Sequence, residues 1–157
     1  MRKKGAALIV VVIVMMVTLV LAAFMLDTSV KNSRLAADTR YNTRAYYSAE
    51  AGIYDFINYI KNNNCSVSTG TSIINLYNSG GLYGDNMASY KATLNSDITY
   101  VDSASSRTYS FSLYSSGSYG SQGYVITASV SMVYTKNTSG VYIFSNYIVN
   151  SKQVYKA

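Results

Sequence analysis

Few side chains in this sequence are able to do chemistry, and their spacing limits what they can do. Histidine is absent and Cys65 is the single cysteine. Imidazole triads, histidine metal sites, internal disulfides and zinc ribbons are therefore excluded within the chain. Asp85, Asp97 and Asp102 are too few and too scattered to form a calcium loop, so no metal and no cofactor is expected. The run Gly117-Ser-Tyr-Gly-Ser-Gln-Gly123 carries a glycine at every third position. It lacks both the Gly-Lys-Ser/Thr ending of a phosphate loop and the strand-turn-helix setting of a dinucleotide site, so a hairpin loop is the expectation. Cys65 reads as a partly buried thiol at a helix end, the alternative being pairing with another chain in an oxidising exterior. No catalytic activity is expected from this inventory.

Two further residue classes invite a binding role. All 17 tyrosines lie at or after Tyr41, and tyrosine faces stack on sugars while hydroxyls supply hydrogen bonds. The competing expectation is that they fill a small β core and its rim, and Tyr119 is the residue at which an adhesive role would be tested. The formal charge of +6 over 157 residues suggests nucleic acid until it is located. Half of it is Arg2, Lys3 and Lys4, and from Asp27 onward 10 Lys or Arg face 7 Asp or Glu with no basic run. No nucleic-acid partner is predicted.

The elements that position these groups begin with Ala6 to Leu26, an uncharged run whose only polar side chain is Thr18. A helix of this length reaches roughly 30 Å, the thickness of a bilayer's hydrocarbon core. Arg2, Lys3 and Lys4 precede it and Asp27 closes it, which predicts a single pass through the cytoplasmic membrane, N-terminus in and C-terminus out. Three readings fit the run. It is a secretory signal cut near Ala22, a permanent anchor, or a segment processed after Gly5 to leave Ala6 as the new terminus. From Thr28 to Lys61 there is no proline and one glycine, and Val30, Leu35, Ala37, Tyr41, Ala45, Ala49, Ile53, Phe56 or Ile57, and Ile60 recur at helical spacing. An amphipathic continuation of the same helix is predicted, about 55 residues in all. Within it Ala45, Ala49 and Gly52 make one side-chain-poor stripe suited to close packing, and Glu50 reads as a solvated carboxylate near Arg44 or Tyr54.

The string Arg44-Ala45-Tyr46-Tyr47-Ser48-Ala49-Glu50-Ala51-Gly52-Ile53 resembles the A-x-x-A-E-A-G signature of PilX-type minor pilins. With the Lys-Lys-Gly leader and the apolar helix, the first 60 or so residues look like a type IV prepilin or pseudopilin. The resemblance implies cleavage by prepilin peptidase after Gly5, N-methylation of Ala6, and assembly through the apolar helix. Other pilin subunits and an inner-membrane assembly platform would be its partners, and a cell-surface fibre its destination. It also implies that Val10 stands where major pilins carry a glutamate that docks the neighbouring subunit. A subunit lacking it suits the tip or the start of a fibre. The alternative is a secreted or membrane-anchored adhesion module.

After Asn62, Asn63 and Asn64, poor helix formers suited to a C-cap, the chain turns rich in Ser, Thr, Asn, Gly and Tyr. Residues 98–101, 108–114 and 124–134 alternate at period two, and 141–149 is mixed, as if buried on both sides. The connectors 115–123 and 135–140 read as hairpin loops. The expected fold is α+β: a long helix packed on an antiparallel sheet of three or four strands. Its parts are a leader 1–5, an apolar helix 6–26, an amphipathic continuation 27–63, a variable loop region 64–97 and a β domain 98–157.

Overall fold

The computed structural model describes the backbone of residues 3–76 and 88–157, and the side chains of residues 8–74 and 88–157. Arg2, Tyr77, Gly80, Gly81, Gly84 and Asp85 lie outside the described residues. The fold is α+β. One helix, α1 (Lys3–Asn62), is followed by β1 (Ser72–Leu76), β2 (Ala88–Leu94), β3 (Thr99–Asp102), β4 (Ser106–Tyr119), β5 (Gln122–Lys136) and β6 (Tyr142–Lys156). The strands form one antiparallel sheet in the order β1-β2-β4-β5-β6, with β3 also paired to β4. The chain divides into two units, Met1–Arg40 and Tyr41–Ala157.

In the second unit the helix buries Ala45, Ser48, Ala49, Gly52, Ile53, Phe56, Ile57 and Ile60. This spacing of three and four is one face of an α-helix. The face lies on the inward positions of the sheet, where Ala92, Leu94, Phe111, Leu113, Ile126, Ala128, Val130 and Met132 complete the main core. The helix ends where the asparagines fall. Asn63 donates its side-chain amide to the Tyr59 carbonyl at 2.8 Å, and the Cys65 N–H returns to the Ile60 carbonyl at 3.0 Å. Asn64 and Cys65 take φ of 49° and 58°, the left-handed cap that asparagine tolerates.

Four expectations change. The sheet has six strands, and β1 and β2 lie in the stretch 64–97 that reads as a loop. In β2 the buried positions Ala88, Tyr90, Ala92 and Leu94 alternate with Ser89, Lys91 and Thr93, a period-two pattern muted because two of its apolar members are alanine. The stretch 115–123 is not a loop: β4 runs to Tyr119 and β5 starts at Gln122, leaving a two-residue turn. Gly120 has φ of 59° and Ser121 is not among the positive-φ residues, which fits a type II′ hairpin. Strand β6 is not buried on both sides. It is the outer strand of the sheet, largely exposed, with extra residues opposite the register shifts at Ser129/Val130 and Val133/Tyr134. Finally Val30, Leu35 and Ala37 share the helical spacing but are exposed; they belong to the first unit, and the sheet lies in the second.

Candidate functional site

The first unit presents an apolar surface. From Leu8 to Leu26 every side chain is exposed, and the helix is long and apolar enough to cross a membrane. Thr18, the lone polar group there, closes its hydroxyl on the Met15 carbonyl at 2.9 Å, so it brings no unsatisfied donor into an apolar medium. The run ends at Asp27, which pairs with Lys31 at 2.6 Å across one helical turn. Gly5 and Ala6 are helical by backbone, as are Lys3 and Lys4. Val10 is 59% exposed and in the middle of apolar neighbours, so position 10 offers methyl groups and no charge.

The second unit holds the Ala-Tyr-Tyr-Ser-Ala-Glu-Ala-Gly motif, and its small residues set the distance between helix and sheet. A Cβ placed on Gly117 of β4 would stand 2.5 Å from the Ala49 Cα and 2.7 Å from its Cβ, and closer still to the Ala49 nitrogen. The two backbones therefore touch, which only glycine on one side permits. One turn on, a Cβ at Gly52 would collide with the Ser115 hydroxyl and stand 2.8 Å from Tyr90 Cδ2. Ser48, next to Ala49 on the helix, donates to the Ser89 carbonyl at 2.6 Å. Ser115 is fully buried and its hydroxyl has no hydrogen-bond partner among the described residues. Ala45 packs separately with Ala88 and Tyr119, while Ala51 is half-buried.

Glu50 is not a free solvated carboxylate, because it reaches the sheet. It forms an ion pair with Lys152 of β6, which also donates to the Tyr46 hydroxyl at 2.6 Å and lies 4.9 Å from the centre of the Tyr46 ring. Burial opposes the charge on Lys152, but its bonds to Glu50 and Tyr46 prevail and raise its pKa above the usual lysine range. The motif carboxylate thus ties the helix to the exposed outer strand. Arg44 instead stacks on the Tyr119 ring at 4.9 Å and donates to its hydroxyl. Tyr119 is only 3% exposed, so it is a core residue and no platform for a sugar.

Where the helix ends, Cys65 is buried and lies 3.5 Å from the Tyr134 hydroxyl. Burial pushes its thiol up from the usual cysteine value, the bond to Tyr134 pulling weakly the other way. Nearby on the sheet Arg107 makes two hydrogen bonds to Asp102 and sits between the rings of Tyr100 and Tyr142, 4.6 Å from each. Hydrogen bonding to Arg107 holds the Asp102 carboxyl below the usual range. Asp97 accepts from the Thr69 hydroxyl. Among the described residues, no three of the Cys, Asp and Glu side chains converge as a metal site would need.

Sequence reasoning missed Ser48, Ser115, Gly117 and Lys152. Gly117 was legible in principle: the inward parity of Phe111 and Leu113 continues through Ser115 to Gly117 and Tyr119. Lys152 carried no such signal, since its partner is 102 residues away. No family profile, characterised protein or solved structure matches this chain.

Proposed function

We propose that this chain is a non-catalytic structural subunit of a pilus or related secretion fibre, a minor pilin or pseudopilin. In this reading prepilin peptidase cuts after Gly5, and the chain enters the fibre through the apolar half of α1. The observation that carries the proposal is the apolar, wholly exposed surface from Leu8 to Leu26, continuous in one helix with a segment that packs on a sheet. Such a surface needs lipid or neighbouring apolar helices. Exchanging one for the other changes little in solvation, so the segment can rest in the bilayer and later leave it for a helical bundle. The Lys-Lys-Gly leader and the Ala49-Glu50-Ala51-Gly52 motif support the same reading, and the basic residues ahead of the apolar run support an N-in, C-out orientation.

Val10 adds a position within the fibre. A glutamate there would need a partner in apolar surroundings; valine needs none, so this subunit requires no predecessor and starts or tips the stack. The test is expression beside a filament system's peptidase and assembly proteins. The chain should appear in sheared surface filaments, with immunogold label at one end. A Gly5→Asn variant should stay in the membrane fraction. Even labelling along the shaft would refute the tip position, and absence from filaments would refute the subunit role.

A further inference from the structure

The sheet has a second face, turned away from α1, and its composition is unusual. Inward parity on β4 is set by Phe111, Leu113 and Gly117, so Ser110, Ser112, Tyr114, Ser116 and Ser118 point outward. The registers carry this parity across the sheet. Among the outward positions of the described strand residues, Lys91 is the one charged side chain; Asp102, Arg107, Lys136, Lys152 and Lys156 all have inward parity. A wet sheet face normally alternates polar with charged residues. Here every outward residue of β4 carries a hydroxyl, and the exposed aliphatics of the face, Ile74, Val101, Ile143 and Ile148, lie on β1, β3 and β6.

Two exposed aromatic rings stand on it. Tyr114 of β4 is 39% exposed and Tyr155 of β6 is 55% exposed. Tyr155 pairs with Val125, and Val125 with Ser116, two residues along β4 from Tyr114. Two strand spacings and two residue rises put the rings roughly 12 Å apart, far enough for two sugars of one chain to stack together. Between them runs the cross-strand row Tyr114, Thr127, Gln153. Gln153 accepts from the Tyr155 hydroxyl at 2.8 Å, which holds that ring in place.

We propose that this outer face binds neutral polysaccharide, with Tyr114 and Tyr155 as stacking platforms and Thr127 and Gln153 as hydrogen-bonding groups between them. The near-absence of charge selects the occupant. Phosphate backbones and anionic headgroups need a basic surface that the face lacks, and acidic glycans need the same. An uncharged polyol offers C–H faces to the rings and hydroxyls to Thr127 and Gln153, and loses no ion pair on binding. The proposal goes beyond the fibre-subunit reading and uses residues of the second unit alone.

The test uses the full chain in detergent micelles with microcrystalline cellulose, chitin and soluble dextran as probes. The chain should bind at least one, with affinity unchanged from about 50 to 500 mM NaCl. Tyr114→Ala and Tyr155→Ala should each weaken binding about tenfold, while Tyr114→Phe, which keeps the ring, retains it. An unchanged thermal midpoint for these surface variants separates lost binding from lost fold. The proposal is overturned if none of the three probes binds, or if binding survives the double alanine variant. Salt-sensitive binding that Lys91→Gln abolishes would also overturn it. So would a dimer that the same tyrosine substitutions dissociate, since the face would then belong to a second copy.

Discussion

Substituting Gly117 by alanine tests the contact on which the second unit's packing depends. The new Cβ would lie 2.5 Å from the Ala49 Cα and closer still to its nitrogen, where ordinary contact begins at 3.4 Å, so helix and strand must separate by at least about 0.9 Å. A gap of that size forfeits about a quarter to a half of the dispersion attraction wherever it opens. Ile53, Phe56, Ile57 and Ile60 follow on the same helix face. Overpacking a tight core costs about 1–3 kcal/mol, and this site belongs at the upper end because the obstructing atoms are backbone. Alanine restores about 0.4–1 kcal/mol by restricting the unfolded chain, leaving a net loss of about 2 kcal/mol. For a unit of this size that lowers the thermal midpoint by roughly 6–10 °C. Guanidinium unfolding of the full chain in mild detergent, followed by circular dichroism, should show a lower midpoint at unchanged slope. Adding Ala49→Gly should recover less than half of the loss, because it removes only the Ala49 Cβ and leaves the nitrogen and Cα in the way. Gly123→Ala is the control: its Cβ meets the Ala157 Cβ at 3.2 Å, at the chain end, and should cost no more than about 0.5 kcal/mol. Wild-type stability in Gly117→Ala would refute the backbone contact and the packing role assigned to the motif.

Other substitutions probe the same region. Ser115→Ala removes a fully buried hydroxyl that has no partner among the described residues, so it should be neutral or stabilise by about 1 kcal/mol, measured by the same unfolding. It should also relieve Gly52→Ala, whose Cβ meets that hydroxyl; a double variant no better than Gly52→Ala alone would contradict this. Lys152 has a raised folded pKa, so its ion pair contributes fully below the unfolded lysine value of about 10.4 and fades as pH rises through the folded value. The stability difference between wild type and Lys152→Gln, about 1 kcal/mol at pH 8, should therefore shrink at alkaline pH; a constant difference would show that the charge plays no part. Cys65, buried with a raised thiol pKa, should react with a disulfide reagent at least about 100-fold more slowly in the folded chain than in denaturant.

Much of the fold is written locally. The apolar run, the spacing of three and four from Ala45 to Ile60, and the period-two alternation of 108–114 and 124–134 each follow from one element burying one face. The asparagine stop is legible for the same reason, since a cap depends on its own backbone. What resisted reading depends on distant partners. The extent of β4 past Tyr114 was hidden by Ser115, Ser116 and Gly117, which look like a loop; Ser115 and Gly117 are small because α1 lies against them. The identity of the Glu50 partner needed β6 to be placed. The exposure of β6 could not be inferred from its mixed pattern, because an outer strand and a doubly buried one can share the same composition. Tyr119 drew attention as an adhesive residue through the tyrosine content of the region, while the period-two parity that buries it runs on through Ser115 and Gly117.

The leader and the apolar helix meet at one bond, and its fate in a cell that carries prepilin peptidase tests the fibre-subunit reading most directly. Intact-mass and peptide mass spectrometry of the mature chain should find the N-terminus at Ala6, methylated, with Met1 to Gly5 removed. A chain that keeps Met1 would be a plain membrane anchor, and one that starts near Ala23 a secreted protein; either result contradicts assembly through the Leu8 to Leu26 surface.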